Sequence, residues 1–179
     1  DANTTASYNT SVGHNSMGAN TTGARNTVLG RGALTANTTG TYNTAVGMGT
    51  LEANTTANSN VGVGYAALAA NTTGTSNVAV GMQALNVAAT ASNNTAIGYN
   101  SLIANTTGAQ NTAVGTSAMA VCTTGQDNVA VGAFSMDTLI SGTDNTACGY
   151  NSMTNITTGD DNVAVGESSA QALTSADGN

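Results

Sequence analysis

The chain has 179 residues, of which 6% are charged and 3% aromatic, with no Trp, Pro or Lys and a net charge of −7. A domain of this length can bury a sizeable core, but ordinary globular chains are about 25% charged, so its thin apolar content has to be explained by architecture. The cations are Arg25 and Arg31 alone, which excludes a phosphate-binding surface of clustered Lys and Arg, and no run of about 18 apolar residues is present to span a membrane.

Such a composition would read as disordered were it not for a regular pattern of β-branched and aliphatic residues. The pattern is a repeat of 17 residues, and a fixed period decides a fold before local propensity does. From the first copy at Tyr8 to Gly13, glycine recurs without a slip at Gly30, Gly47, Gly64, Gly81 and onward to Gly166. Four residues before each stands an asparagine, as at Asn26, Asn43, Asn60 and Asn77.

Each Asn-to-Gly segment, such as Asn43-Thr44-Ala45-Val46-Gly47, alternates β-branched and small residues as a half-buried strand does. The row containing Val46 and Val80 is expected to face inward, and the row containing Ala45 and Ala79 outward, as a small-residue strip packed against another protomer. Four residues after the glycine comes a second apolar row with Leu51 and Leu68, read as a second strand facing the first. A turn typified by Asn37-Thr38-Thr39-Gly40 closes the unit. Helical repeats fail on length and on their shortage of helix-forming residues.

The predicted fold is therefore all-β, a parallel β-solenoid of about ten 17-residue coils, forming a single repetitive domain over 1–179 with no separate caps. Stacked at about 4.8 Å, ten coils make a rod roughly 48 Å long. The Asn column then either links its amides from coil to coil or makes local turns with its own backbone. The first and last copies follow the template of the middle ones, so the expectation is a segment of a longer protein or end rungs covered by further copies. Arg near the start and carboxylates near the end would favour head-to-tail contacts.

The unit Asn-Thr-Ala-Val-Gly, then Ala-Leu, then Asn-Thr-Thr-Gly, as at Asn94 to Gly108, resembles repeats of phage and virus tail-fibre proteins. Its Asn-Thr-Ala-Val-Gly part is also similar to the head repeats of trimeric autotransporter adhesins, which form parallel β-rolls. The resemblance implies a place on the outside of a cell or virion. It also implies a surface anchor or a C-terminal chaperone domain, neither expected within these 179 residues.

Candidate sites are few. Asp127, Asp144 and Asp161 recur at the repeat spacing and should stack as a like-charge ladder joined by Asp160 and Asp177, either a solvated acidic edge or a calcium site. Asn20, Asn37, Asn54, Asn71 and Asn105 each open an Asn-Thr-Thr glycosylation sequon, as does Asn3, and Asn155-Ile156-Thr157 is another; the same triplet also makes a turn. Cys122 and Cys148 occupy different columns and read as buried small hydrophobes, not a disulfide. His14, the single histidine, has no nucleophile and carboxylate that the sequence places beside it. No cofactor is expected apart from calcium, and no catalytic residue is identified.

These features lead to the expectation of a non-enzymatic structural subunit of an extracellular fibre or filament, whose partners are copies of itself, head-to-tail and also lateral. The alternative is a receptor-binding or adhesive segment of a tail fibre or surface adhesin, contacting a surface receptor or glycan through outward residues such as Arg31, Tyr65 and Tyr99.

Overall fold

The structure, a computed structural model, describes residues 5–178. They form ten three-residue strands: β1 (Thr10–Val12), β2 (Thr27–Leu29), β3 (Thr44–Val46), β4 (Val61–Val63), β5 (Val78–Val80), β6 (Thr95–Ile97), β7 (Thr112–Val114), β8 (Val129–Val131), β9 (Thr146–Cys148) and β10 (Val163–Val165). Each pairs in parallel with the next in one sheet of order β1 to β10. The register is the sequence period itself, with Thr44, Ala45 and Val46 opposite Val61, Gly62 and Val63. The chain is thus an all-β solenoid, with no helix among the described residues.

Two residues set the strand length. The residue two before each strand lies in the left-handed region, as at Tyr42 with φ 60° and Ser76 with φ 58°. The glycine after the strand has a φ that side chains rarely adopt, 137° at Gly81, and a Cβ there would stand 2.5 Å from the Gly98 carbonyl oxygen. Only glycine satisfies both the angle and the approach of the next coil.

The strand faces are the reverse of the sequence expectation. Ala45, Ala79, Ala96, Ala113, Ala130 and Ala147 are fully buried, whereas Val12, Leu29, Ile97, Val131 and Val165 are 38–71% exposed. Val46 and Val80 are half-buried and point outward with them. The reason is volume. Along the interior runs a row of large side chains, Leu34, Leu51, Leu68, Leu85, Leu102, Met119, Met136 and Met153, all fully buried. With that row in place, the sheet face opposite has room for little more than a methyl group.

The Leu row is not a second strand either. Leu51, Leu68 and Leu85 have φ of 52°, 53° and 49°, inside a run of turns. A left-handed conformation costs about 1–2 kcal/mol, while burying a Leu side chain returns about 1.5–3 kcal/mol, so burial outweighs the strain. The turns still bond from coil to coil, with Leu51 N–H donating to the Ala67 carbonyl at 3.0 Å and Ala53 N–H to that of Ala69 at 2.9 Å. Inter-coil hydrogen bonds therefore run along the turn wall as well as the sheet.

Local volume is matched between neighbouring coils. Thr50 stands in a column that holds Ala67, Ala84, Ser101 and Ser135 elsewhere. Its extra methyl is accommodated because the facing strand position is Gly62, where a Cβ would lie 2.5 Å from Thr50 Cγ2.

Candidate functional site

The two asparagine columns behave differently. In the strand-preceding column, each side-chain oxygen accepts the backbone N–H of the next asparagine: Asn60 N–H donates to Asn43 Oδ1 at 3.0 Å and Asn77 N–H to Asn60 Oδ1 at 2.9 Å. The amide nitrogen of each donates to the carbonyl at the end of the coil, from Asn43 to Ala57 at 2.9 Å and from Asn60 to Gly74 at 2.8 Å. Asn26 does the same with Asn9 and Gly40. These buried amides splice one coil to the next by satisfying backbone groups at the corner.

In the other column, which opens each Asn-Thr-Thr, each amide from Asn37 to Asn71 bonds to the amide one coil before it, as amides of the strand-preceding column also do from Asn94 onward. Asn37 Nδ2 donates to Asn20 Oδ1 at 2.8 Å, Asn54 to Asn37 at 3.0 Å and Asn71 to Asn54 at 3.0 Å. This corrects the glycosylation expectation. Asn20, Asn37, Asn54, Asn71 and Asn105 are at most 1% exposed, and the nitrogen that would carry a sugar is spent in the ladder or on the turn carbonyl, as from Asn105 to Gly108 at 2.9 Å. Asn155 is exposed, because Ile156 takes the buried corner there; Asn3 lies outside the described residues.

The ladder stops at Ala88. Asn71 Oδ1 is consequently buried without a hydrogen-bond partner. Beyond Asn105 the same corner becomes apolar, with Cys122, Leu139 and Ile156 all fully buried.

Both cysteines are free thiols. Burial pushes the Cys122 thiol up to about 11. Cys148, expected to be buried, is exposed because it replaces a valine of the outward row.

Asp127, Asp144 and Asp161 fall on an exposed left-handed corner, with φ of 55°, 55° and 59°. Their neighbours Asp160 and Asp177 cap backbone donors instead of joining them: Asp160 Oδ1 accepts from Thr143 N–H at 2.7 Å, and Asp177 Oδ1 from Asp160 N–H at 3.0 Å. Among the described residues no three His, Cys, Asp or Glu side chains gather as a metal-holding group. At the other end of the same corner column, Arg25 lies between the rings of Tyr8 and Tyr42, at 5.5 and 5.3 Å from their centroids, and its Nη1 donates to the Tyr42 hydroxyl at 2.9 Å.

The outer sheet face is the most extensive candidate surface, and the sequence parity concealed it. Its two columns carry Thr10, Thr27, Thr44, Val61, Val78 and their successors beside Val12, Leu29, Val46, Val63, Val80 and theirs, with no charged residue at any rung from β1 to β10. Beside it runs a further outward row with Arg31, Met48, Tyr65, Met82, Tyr99 and Tyr150. The last four of these are 45–50% exposed: Tyr65 49%, Met82 45%, Tyr99 46% and Tyr150 50%. Comparison with protein-family models, with curated proteins and with solved structures finds no match to this chain.

Proposed function

We propose that the chain is a structural subunit of an extracellular fibre or filament, built of stacked coils and assembled from copies of itself. The observation that supports this most directly is the uncharged Thr/Val face, which runs from β1 to β10 with no charged side chain to oppose packing against a second copy. Nine intervals of about 4.8 Å make it about 43 Å long, and two columns of side chains make it about 12 Å wide. A copy therefore offers on the order of 500 Å², and two faces together reach the roughly 1,000 Å² at which specific interfaces begin. End-to-end stacking extends the same backbone ladder that links β1 to β10. The fibre is taken to lie on a cell or virion surface, in keeping with the resemblance of its repeats.

Negative-stain electron microscopy of the purified chain, with sedimentation in parallel, tests the reading. Unbranched fibres are expected, and Val80→Lys with Val114→Lys should disperse lateral association, since each lysine would be buried against an apolar face. Monodisperse single rods from the unmodified chain at high concentration would overturn it.

A further inference from the structure

We propose that a cleft on one side of the rod, centred on Gly32 and Gly49, is a binding site for a single neutral sugar ring. Both glycines belong to a left-handed column, with φ of 67° and 66°. Glycine is not required there, because the same column holds Ala66 at 54°, Gln83 at 59° and Phe134 at 57°. What distinguishes Gly32 and Gly49 is the side chains they omit in adjacent coils. A Cβ at Gly32 would meet nothing nearer than Thr35 Oγ1 at 3.7 Å, and one at Gly49 nothing nearer than Glu52 Oε2 at 3.4 Å. The space they leave is a cavity of about 300 Å³, with His14, Arg31, Met48, Glu52 and Tyr65 in its walls. That volume is at the lower end for ligand sites and suits one small ring.

The lining narrows the chemistry. Tyr65 and Met48, 49% and 45% exposed, supply an apolar wall. Arg31 only donates hydrogen bonds and Glu52 only accepts them. Among the described residues neither side chain is engaged in an ion pair or hydrogen bond within the chain, so both are available to a ligand. An apolar ligand would strip water from both without replacing it. An anion would face Glu52, and a cation Arg31. A neutral sugar ring matches all three features, with a C–H face for the tyrosine and hydroxyl groups that both accept from Arg31 and donate to Glu52. The site stands whether or not copies assemble into fibres.

Saturation-transfer NMR and calorimetry on the intact chain with glucose, galactose, mannose, N-acetylglucosamine and fucose test it. At least one is expected to bind with a Kd of about 1 mM or tighter. Gly32→Asn with Gly49→Gln places in the column residues it already holds at Asn100 and Gln83, and should weaken binding by about tenfold or more with the melting temperature little changed. Tyr65→Ala should do the same through an exposed side chain that contributes little to folding, whereas Tyr99→Ala, two coils beyond and outside the cleft, should leave binding intact. No signal from any of the five sugars, or undiminished binding in both the filled-cleft and Tyr65 variants, overturns the proposal.

Discussion

Ala88 ends the run of stacked amides from Asn20 to Asn71, and the cost falls on its neighbour, since Asn71 Oδ1 is left buried and unpartnered. An unsatisfied buried acceptor costs about 1–3 kcal/mol. Ala88→Asn should therefore stabilise the chain by about 1 kcal/mol or more, read as a higher urea midpoint. The combination is already accommodated two coils earlier, where Asn54 precedes Ala57 as Ala88 precedes Ala91. At Cys122 the linked quantity is a proton. The unfolded thiol titrates near 9 and the folded one near 11, because burial disfavours the thiolate. The stabilisation is complete below pH 9 and is lost as pH rises towards 11, by on the order of 2 kcal/mol. Urea midpoints across that range should fall more for the unmodified chain than for Cys122→Val, and a thiol reagent should label Cys148 in the folded state but Cys122 only on unfolding.

Between strand and facing turn, volume is shared by pairs. Gly62→Ala should cost about 1–3 kcal/mol, because its Cβ meets Thr50 Cγ2 at 2.5 Å. Thr50→Ser removes that methyl and keeps the hydroxyl that donates to the Gly64 carbonyl at 2.6 Å. The double variant should recover most of the loss, a coupling of about 1 kcal/mol or more in a double-mutant cycle. Ser101 over Ala113 and Ser135 over Ala147 already show the repaired pairing. The period, the strands and their parallel register were readable in the sequence because every copy keeps its spacing. The inward face was not. Alternation says that Ala45 and Val46 point to opposite sides, but which side is inside depends on Leu51 filling the space beneath, and only the fold shows that it approaches from a left-handed turn. The sequons left two readings open for a similar reason: Asn37-Thr38-Thr39 has the form of both an acceptor and a turn, and its burial in the turn follows from amide stacking between coils. The cleft at Gly32 and Gly49 was hidden too, since glycine ordinarily signals a backbone need and here signals omitted side chains.

As a whole the molecule is a one-dimensional stack, in which each coil touches mainly the coils before and after it. Its outer surface is divided lengthwise into an uncharged sheet face, an aromatic and methionine row beside it, and a corner column that changes from Tyr8, Arg25 and Tyr42 to Asp127, Asp144 and Asp161. The proposed lateral contact and the proposed sugar site use different strips of that surface. Lysines on the sheet face should therefore abolish bundling without affecting sugar binding, and filling the cleft should do the reverse, as followed by sedimentation and NMR on the same samples.

The corner that passes from Asn37, Asn54 and Asn71 to Cys122, Leu139 and Ile156 also divides the rod thermally. Hydrophobic attraction weakens on cooling, whereas a chain of amide hydrogen bonds has no such dependence built into it. Chilled, the rod should fray first among the coils around Leu139; amide hydrogen exchange at low temperature would show those rungs opening ahead of the ones around Asn37. Two halves with the same backbone thus respond to cold differently because one is cornered in amides and the other in hydrocarbon.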